Sequence, residues 1–285
     1  MKTNNIFFGL LLFLVIPAYY SCSDNNSVSE DDLSVAKTML NVSYGSDSQQ
    51  VFDLYLPANR NVSTTKTLIL VHGGAWIEGD KADMNYAVNV IQQFLPDYAI
   101  ANLNYRLATN ENYAFPMQID DIDAIVQKLK NENYGISDAF GFIGTSAGGH
   151  LSMLYSYGYN SNNDIKMVCS IVGPTNFTDP NYTDYQVWLD LYYNLTGVDY
   201  ANNVTYYEQL SPLYRATATS VPTILFYGNA DPLIPTSQGV DLHAKLNQLG
   251  VYNEFNLYNG GHGNWSQADL LDANLKMIAF IQNKF

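Results

Sequence analysis

Three side chains stand out for the chemistry they could do together: Ser146, Asp231 and His262. Ser146 lies in Gly144-Thr145-Ser146-Ala147-Gly148-Gly149, directly after the apolar run Ala139-Phe140-Gly141-Phe142-Ile143 and before a stretch, His150 to Tyr157, that reads as helix. A strand, a Gly-x-Ser-x-Gly turn and a helix hold a serine on a tight bend with its hydroxyl exposed, and the bend requires small neighbours. Such a hydroxyl becomes a nucleophile only when a base takes its proton. The rest of the chain must therefore supply a histidine, an acid to orient it, and N–H donors for the oxyanion that forms.

The sequence has four histidines, so elimination is effective. His72 precedes the serine and sits in a glycine motif. His150 falls in the first turn of the helix after Ser146, too close along the chain to reach back. His243 lies in an amphipathic helical stretch, where a solvated side chain is expected. His262, in Tyr258-Asn259-Gly260-Gly261-His262-Gly263, follows the last strand candidate and is the expected base. Asp231, in Phe226-Tyr227-Gly228-Asn229-Ala230-Asp231-Pro232, follows another strand candidate and is the expected acid. A turn-forming role before Pro232 is the plainer reading of Asp231. Glu254 is the competing acid, although it lies within a strand rather than beyond one. Neutral His262 would take the proton of Ser146 while Asp231 holds the imidazole in one tautomer. A histidine base predicts loss of turnover in acid. The oxyanion donors are expected to be the N–H groups of Ala147 and Gly74, with Gly73 or Ala75 adding to them, from Val71-His72-Gly73-Gly74-Ala75-Trp76.

These groups need a scaffold that brings distant loops together. Val51 to Leu56 alternates as an early antiparallel strand stopped by Pro57. Thr67 to Val71 is a continuous apolar run, as in a strand covered on both faces. Further strands are expected at Ala99–Leu103, at the run before Ser146, at Lys166–Val172, at Thr223–Tyr227 and at Glu254–Tyr258. Helices are expected at Tyr86–Leu95, Pro116–Leu129, Ser237–Leu249 and Gln267–Phe285. Ile119, Ile122, Ile125, Val126 and Leu129 form one helical stripe. Strands alternating with helices predict an α/β fold, a mostly parallel doubly wound sheet whose loops at the C-terminal strand ends gather the functional residues. Residues 174–215 break this alternation. They are rich in Asn, Thr and aromatic residues and are expected to form a small cap, with Trp76, Tyr185 and Trp188 as candidate substrate contacts.

Together these motifs resemble the α/β-hydrolase superfamily, near its esterase/lipase group with a His-Gly-Gly motif, over residues from about 50 to 285. His72 to Trp76 matches the oxyanion motif, Asn104-Tyr105-Arg106-Leu107 a strand ending in Tyr-Arg-Leu, and Phe115-Pro116 through Asp120-Asp121 a Phe-Pro helix start. Gly144 to His150 matches the elbow with its trailing Gly-Gly-His. The order Ser, Asp, His is the order of this fold. Where hormone-sensitive-lipase-like enzymes carry a third glycine, this chain has Ala75 and then Trp76, a variant more similar to feruloyl and acetyl-xylan esterases and formamidases. The resemblance implies a serine carboxylic-ester hydrolase without cofactor or metal, acting on a small-molecule or oligosaccharide ester such as acetylated or feruloylated polysaccharide. An amidase, formamidase or peptidase with the same three side chains is the alternative within enzymes. A glycan-binding lipoprotein on an inactive scaffold is the alternative outside them.

Residues 1–21 read as an export signal: Lys2 at the positive end, then an apolar core, Ile6 to Ile16, too short for the roughly 20 residues a bilayer span needs. Tyr19-Tyr20-Ser21-Cys22 resembles a bacterial lipobox, which would make Cys22 a lipidation site and a membrane anchor. Residues 22–38 are expected to be a flexible tether and 39–285 the folded domain. The second cysteine, Cys169, sits in an apolar strand candidate, so no disulfide is expected. The formal net charge of −14 argues against nucleic acid as a partner.

Overall fold

The structure, a computed structural model, describes residues 32–285. Its centre is an eight-stranded sheet in the order β1-β2-β4-β3-β5-β6-β7-β8. The strands are β1 (Lys37–Ser43), β2 (Val51–Leu56), β3 (Thr67–Val71), β4 (Ala99–Leu103), β5 (Phe140–Thr145), β6 (Ile165–Ile171), β7 (Thr223–Gly228) and β8 (Asn253–Tyr258). β1 with β2 and β2 with β4 pair antiparallel; all later pairings are parallel. This is the α/β-hydrolase fold.

The continuous apolar runs are central strands, because both faces are covered. In β3, Ile69 and Val71 join one core cluster and Leu68 and Leu70 the other, as the two-residue period of a strand demands. The first face packs against α2 (Met117–Asn131), α3 (Ala147–Gly158) and α8 (Ser237–Gln248), with the predicted stripe Ile119, Ile122, Ile125, Val126 and Leu129 inside. The second packs against α1 (Asn85–Phe94) and α9 (Gln267–Lys284), through Val88, Ile91, Met277 and Ile281. A short 3-10 turn, Lys81–Met84, precedes α1.

The insertion between β6 and β7 folds as short helices: α4 (Pro180–Thr183), α5 (Gln186–Thr196), a 3-10 turn at Tyr200–Asn202, α6 (Val204–Gln209) and α7 (Pro212–Arg215). Its rings pack on one another, with Phe177 and Tyr192 centroids 5.0 Å apart and Tyr192 stacked on Tyr207 at 5.3 Å. Its base is tied to α8 by one polar knot. The Gln238 amide oxygen accepts from the N–H groups of Thr175 (2.7 Å) and Asn176 (2.8 Å), and its nitrogen donates to Asp179 at 2.8 Å. Ser237 donates to the same carboxylate.

One boundary differs from expectation. The span 22–38 was expected to be tether, yet its described end is part of the folded body: Arg60 N–H donates to the Leu33 carbonyl, and the Arg60 guanidinium to that of Val35. β1 begins at Lys37 and is an exposed edge strand with a bulge between Met39 and Val42. The bulge puts two inward residues three apart, which hides the strand period of two. The expected signal and Cys22 lie outside the described residues.

Candidate active site

β5 ends in the bend the sequence predicts. Ser146 has φ 53° and ψ −120°, a conformation that L side chains adopt only under constraint. Its N–H donates to the Ile171 carbonyl (2.8 Å), and its carbonyl accepts from His150 N–H, which starts α3. The flanking glycine is a steric necessity: a Cβ on Gly148 would lie 2.1 Å from the Val71 carbonyl oxygen.

The loop after β3 approaches the serine from the side. A Cβ placed on Gly73 would be 3.2 Å from the Ser146 Cβ. Gly74, Ala75 and Trp76 then run consecutively through positive φ, at 114°, 48° and 65°. Several side chains pin this strained loop. The Gly73 carbonyl can only accept, so the His72 Nδ1–H at 2.6 Å must donate to it. In a trans peptide this turns the Gly74 N–H to the opposite side. The Tyr105 hydroxyl donates to the His72 carbonyl at 3.0 Å, and its ring stacks on His72. Buried Gln118 donates to the Trp76 carbonyl at 2.7 Å, and the Trp76 indole N–H donates to His150 Nδ1 at 3.3 Å. Arg106, bonded to buried Asp121 at 2.5 Å, joins the Tyr-Arg-Leu strand end to the start of α2. The N–H groups of Gly73, Gly74, Ala75 and Ala147 make no backbone hydrogen bond among the described residues.

His150 is the counterpart of His72. Its Nε2–H donates to the Leu210 carbonyl at 2.7 Å while Nδ1 accepts from Trp76. One neutral tautomer satisfies both contacts. Burial pushes its pKa down to about 4, against the Leu210 bond. Burial likewise lowers His72, outweighing its bond to Gly73 and the nearby Asp83 and Asp80. Both rings are therefore neutral struts.

Asp231 and His262 come from the loops after β7 and β8. His262 Nδ1 lies 2.7 Å from Asp231 Oδ2, and the other carboxylate oxygen accepts from the N–H groups of Leu233 (2.8 Å) and Ile234 (3.0 Å). Burial alone would raise the Asp231 pKa, but the bonds from His262, Ile234 and Leu233 outweigh it and hold the carboxyl below its usual range. The Asp231 side chain is fully buried, whereas His262 is 24% exposed. An ionised Asp231 keeps a proton on Nδ1 and leaves Nε2 free to act as a base. The two loops are stitched together, with Ala230 N–H on the Gly260 carbonyl and the Asn229 amide nitrogen on the Asn259 side-chain oxygen; the Trp265 indole braces the second loop through the Gly261 carbonyl. Glu254, the competing acid, is engaged by the Tyr252 hydroxyl instead.

A cavity of about 240 Å³ opens beside Ser146. Ala75, Trp76, Pro174 and Phe177 form one part of its wall; Tyr182, Trp188, Leu191, Tyr192, Leu233 and Ile234 form the rest. Trp76 and Trp188 face the cavity. Tyr185 does not: it caps the start of α5 and is 60% exposed, because its side chain falls outside the buried stripe of that helix. The supporting roles of His150 and Gln118 were not foreseen. The trailing Gly-Gly-His after the elbow was the signal for His150; nothing local in the sequence marks Gln118. Among the described residues, no group of three or more His, Cys, Asp or Glu could hold a metal ion.

Residues 52–246 match the family model BD-FAE. Esterase LipC of Mycobacterium tuberculosis is 26% identical over 253 residues, covering 81% of this chain but 60% of its own length. An arylacetamide deacetylase of Oryctolagus cuniculus is 27% identical over 58% of this chain and 39% of its own. The chain thus spans less than two thirds of these curated relatives. Among solved structures, a bifunctional GH43-CE protein of Bacteroides eggerthii superposes with a TM-score of 0.70 at 21% identity, over 86% of this chain and 38% of that one. A truncated carbohydrate esterase from gut microbiota superposes with a TM-score of 0.66 at 20% identity, over 88% and 99%. The structural likenesses establish the fold, and the family model reaches from β2 into α8 across Ser146 and Asp231: the chain belongs to the BD-FAE family.

Proposed function

We propose that this chain is a serine carboxylic-ester hydrolase in which Ser146, His262 and Asp231 act through an acyl-enzyme intermediate. The observation that carries the reading is the 2.7 Å contact between His262 and buried Asp231, at the same rim of the sheet as the strained Ser146 bend. His262 Nε2 takes the Ser146 proton as Oγ attacks the ester carbonyl. The oxyanion of the tetrahedral intermediate takes N–H bonds from Ala147 and from the Gly73–Ala75 loop. The imidazolium then protonates the departing alcohol. Water repeats the sequence on the acyl-enzyme and releases the acid. Membership of the BD-FAE family and likeness to an esterase support an ester as the substrate bond.

The substrates we propose are acyl decorations of polysaccharides, acetyl or feruloyl, which fits the presence of a carbohydrate esterase among the structural relatives and the aromatic cap. We further propose that Cys22 carries a lipid that holds the exported protein on a membrane; a mass shift lost in Cys22→Ala tests this. A fluorophosphonate probe should label the wild type and leave Ser146→Ala unlabelled; labelling of both proteins would end the triad reading. Acetylated and feruloylated xylan fragments, assayed beside p-nitrophenyl esters, test the substrate class. Turnover of the small esters alone would remove the polysaccharide.

A further inference from the structure

Helix α5 has two faces of different chemistry. Its inner face, with Trp188, Leu191 and Tyr192, lines the cavity beside Ser146. Its outer face borders a second, open groove of about 550 Å³, whose other side is the 3-10 turn at Tyr200–Asn202. Gln186, Asp190, Tyr193 and Asn194 stand on the helix side of this groove, Asp199 and Tyr200 on the other. The outer face is unlike an ordinary solvated helix surface. Elsewhere exposed helix faces use pairs of opposite charge, Lys128 with Glu132 at the end of α2 and Lys276 with Asp272 in α9. Residues 174–214 contain no lysine or arginine, against five acidic residues. The exposed positions of α5 are Gln186, Val187, Asp190, Tyr193 and Asn194. All but the first are weaker helix formers than the Lys, Glu or Ala that solvation alone would favour. A local rule broken on an exposed surface points to a role in function.

Each of these groups suits a polyol. Tyr193 is 53% exposed, and among the described residues its ring packs on no other ring and its hydroxyl has no hydrogen-bond partner. It presents a flat apolar face and a polar tip to solvent. The Gln186 amide donates to the Asp190 carboxylate at 2.8 Å, and the Asn202 amide to that of Asp199 at 2.8 Å. Both carboxylates are thus oriented, and both keep acceptor positions free for hydroxyl donors. Neither pairs with a cation among the described residues, so an anionic polymer would be repelled from the groove.

Given the polysaccharide reading, on which this inference rests, we infer that the groove is a second glycan-binding site, separate from the catalytic cavity, that takes a neutral polysaccharide chain. A sugar ring stacks on Tyr193, and its hydroxyls donate to Asp190 and Asp199. The width of one helix, about 10–12 Å, separates this site from the catalytic cavity. It therefore reads the polymer and not the acyl group. By holding the chain on the protein it raises the local concentration of ester groups around Ser146. Its contribution belongs in KM for the polymer and not in the chemical step.

The test reads binding and turnover side by side. Calorimetric titration uses xylohexaose, which is neutral and carries no ester, and an oligogalacturonate of the same length, which is anionic. Xylohexaose should bind and the oligogalacturonate should not. Tyr193→Ala should weaken xylohexaose binding by about fivefold or more, whereas Tyr193→Phe keeps the ring and should stay near wild type. On acetylated xylan, Tyr193→Ala should raise KM by a similar factor with kcat unchanged; p-nitrophenyl acetate, which needs no polymer site, reports that the fold is intact. Absence of xylohexaose binding, equal binding of the two oligosaccharides, or a wild-type KM for acetylated xylan in Tyr193→Ala overturns the inference and leaves the substrate class standing. A wild type that cleaves p-nitrophenyl acetate but not acetylated xylan removes the polysaccharide reading and this inference with it.

Discussion

The rim of the sheet and the cap above it are held together in opposite ways. At the rim, backbone conformation is forced: Ser146, Ala75 and Trp76 sit at positive φ, and neutral rings, an amide and a buried carboxylate bond the backbone in place. In the cap, short helices pack ring against ring around one polar knot at Gln238 and Asp179. Strain at the rim fixes the positions of the reacting groups. Aromatic packing in the cap sets the shape of a space. Damage to the rim should therefore appear in turnover, and damage to the cap in stability and selectivity.

The sharpest break in that contrast is Ser146→Ala. Turnover should fall by on the order of 10⁶ while the thermal midpoint stays close to wild type, read by steady-state kinetics beside calorimetry. Asp231→Asn keeps the shape but lets the imidazole adopt the wrong tautomer; kcat should drop by roughly 10⁴. A near wild-type rate there would move the acid elsewhere. Gln118→Leu acts one step removed, by releasing the Trp76 carbonyl, and about 10² in kcat with little change in KM is expected.

On the stability side, His150 has a folded pKa of about 4, below the ordinary value for an unfolded histidine. The unfolded chain therefore binds the proton first. No penalty exists above about pH 6.5; it grows as pH falls and levels off below about pH 4, at roughly 3 kcal/mol. His150→Gln, which can keep a donor and an acceptor without titrating, should flatten that part of the curve of thermal midpoint against pH. The smallest effect on turnover is expected of Gln238→Ala. Unpairing the Thr175 and Asn176 N–H groups should cost about 1–3 kcal/mol of stability each, with fluorophosphonate labelling of Ser146 near the wild-type rate.

What the sequence made legible follows the same division. The central strands and α2 were readable because burial on two faces, or on one stripe, writes a periodic signal. The elbow, the glycine loop and the positions of Asp231 and His262 were readable because strained turns need particular residues at fixed offsets. The cap was recognisable only as a change in composition. Which of its rings would face the cavity depended on tertiary packing, and so Tyr185 was misplaced while Tyr182 and Tyr192 line the cavity. β1 escaped notice because its bulge erases the alternation and its outer face is exposed.

That first strand has a consequence for the molecule among its copies. It closes one side of the sheet, where an even row of free N–H and carbonyl groups would invite a neighbouring chain to add itself. The kink at Asn41, whose N–H is turned inward onto the Asp53 carboxylate, breaks that row. Crowded side by side, such molecules find no straight border on this side of the sheet along which to zip into fibrils.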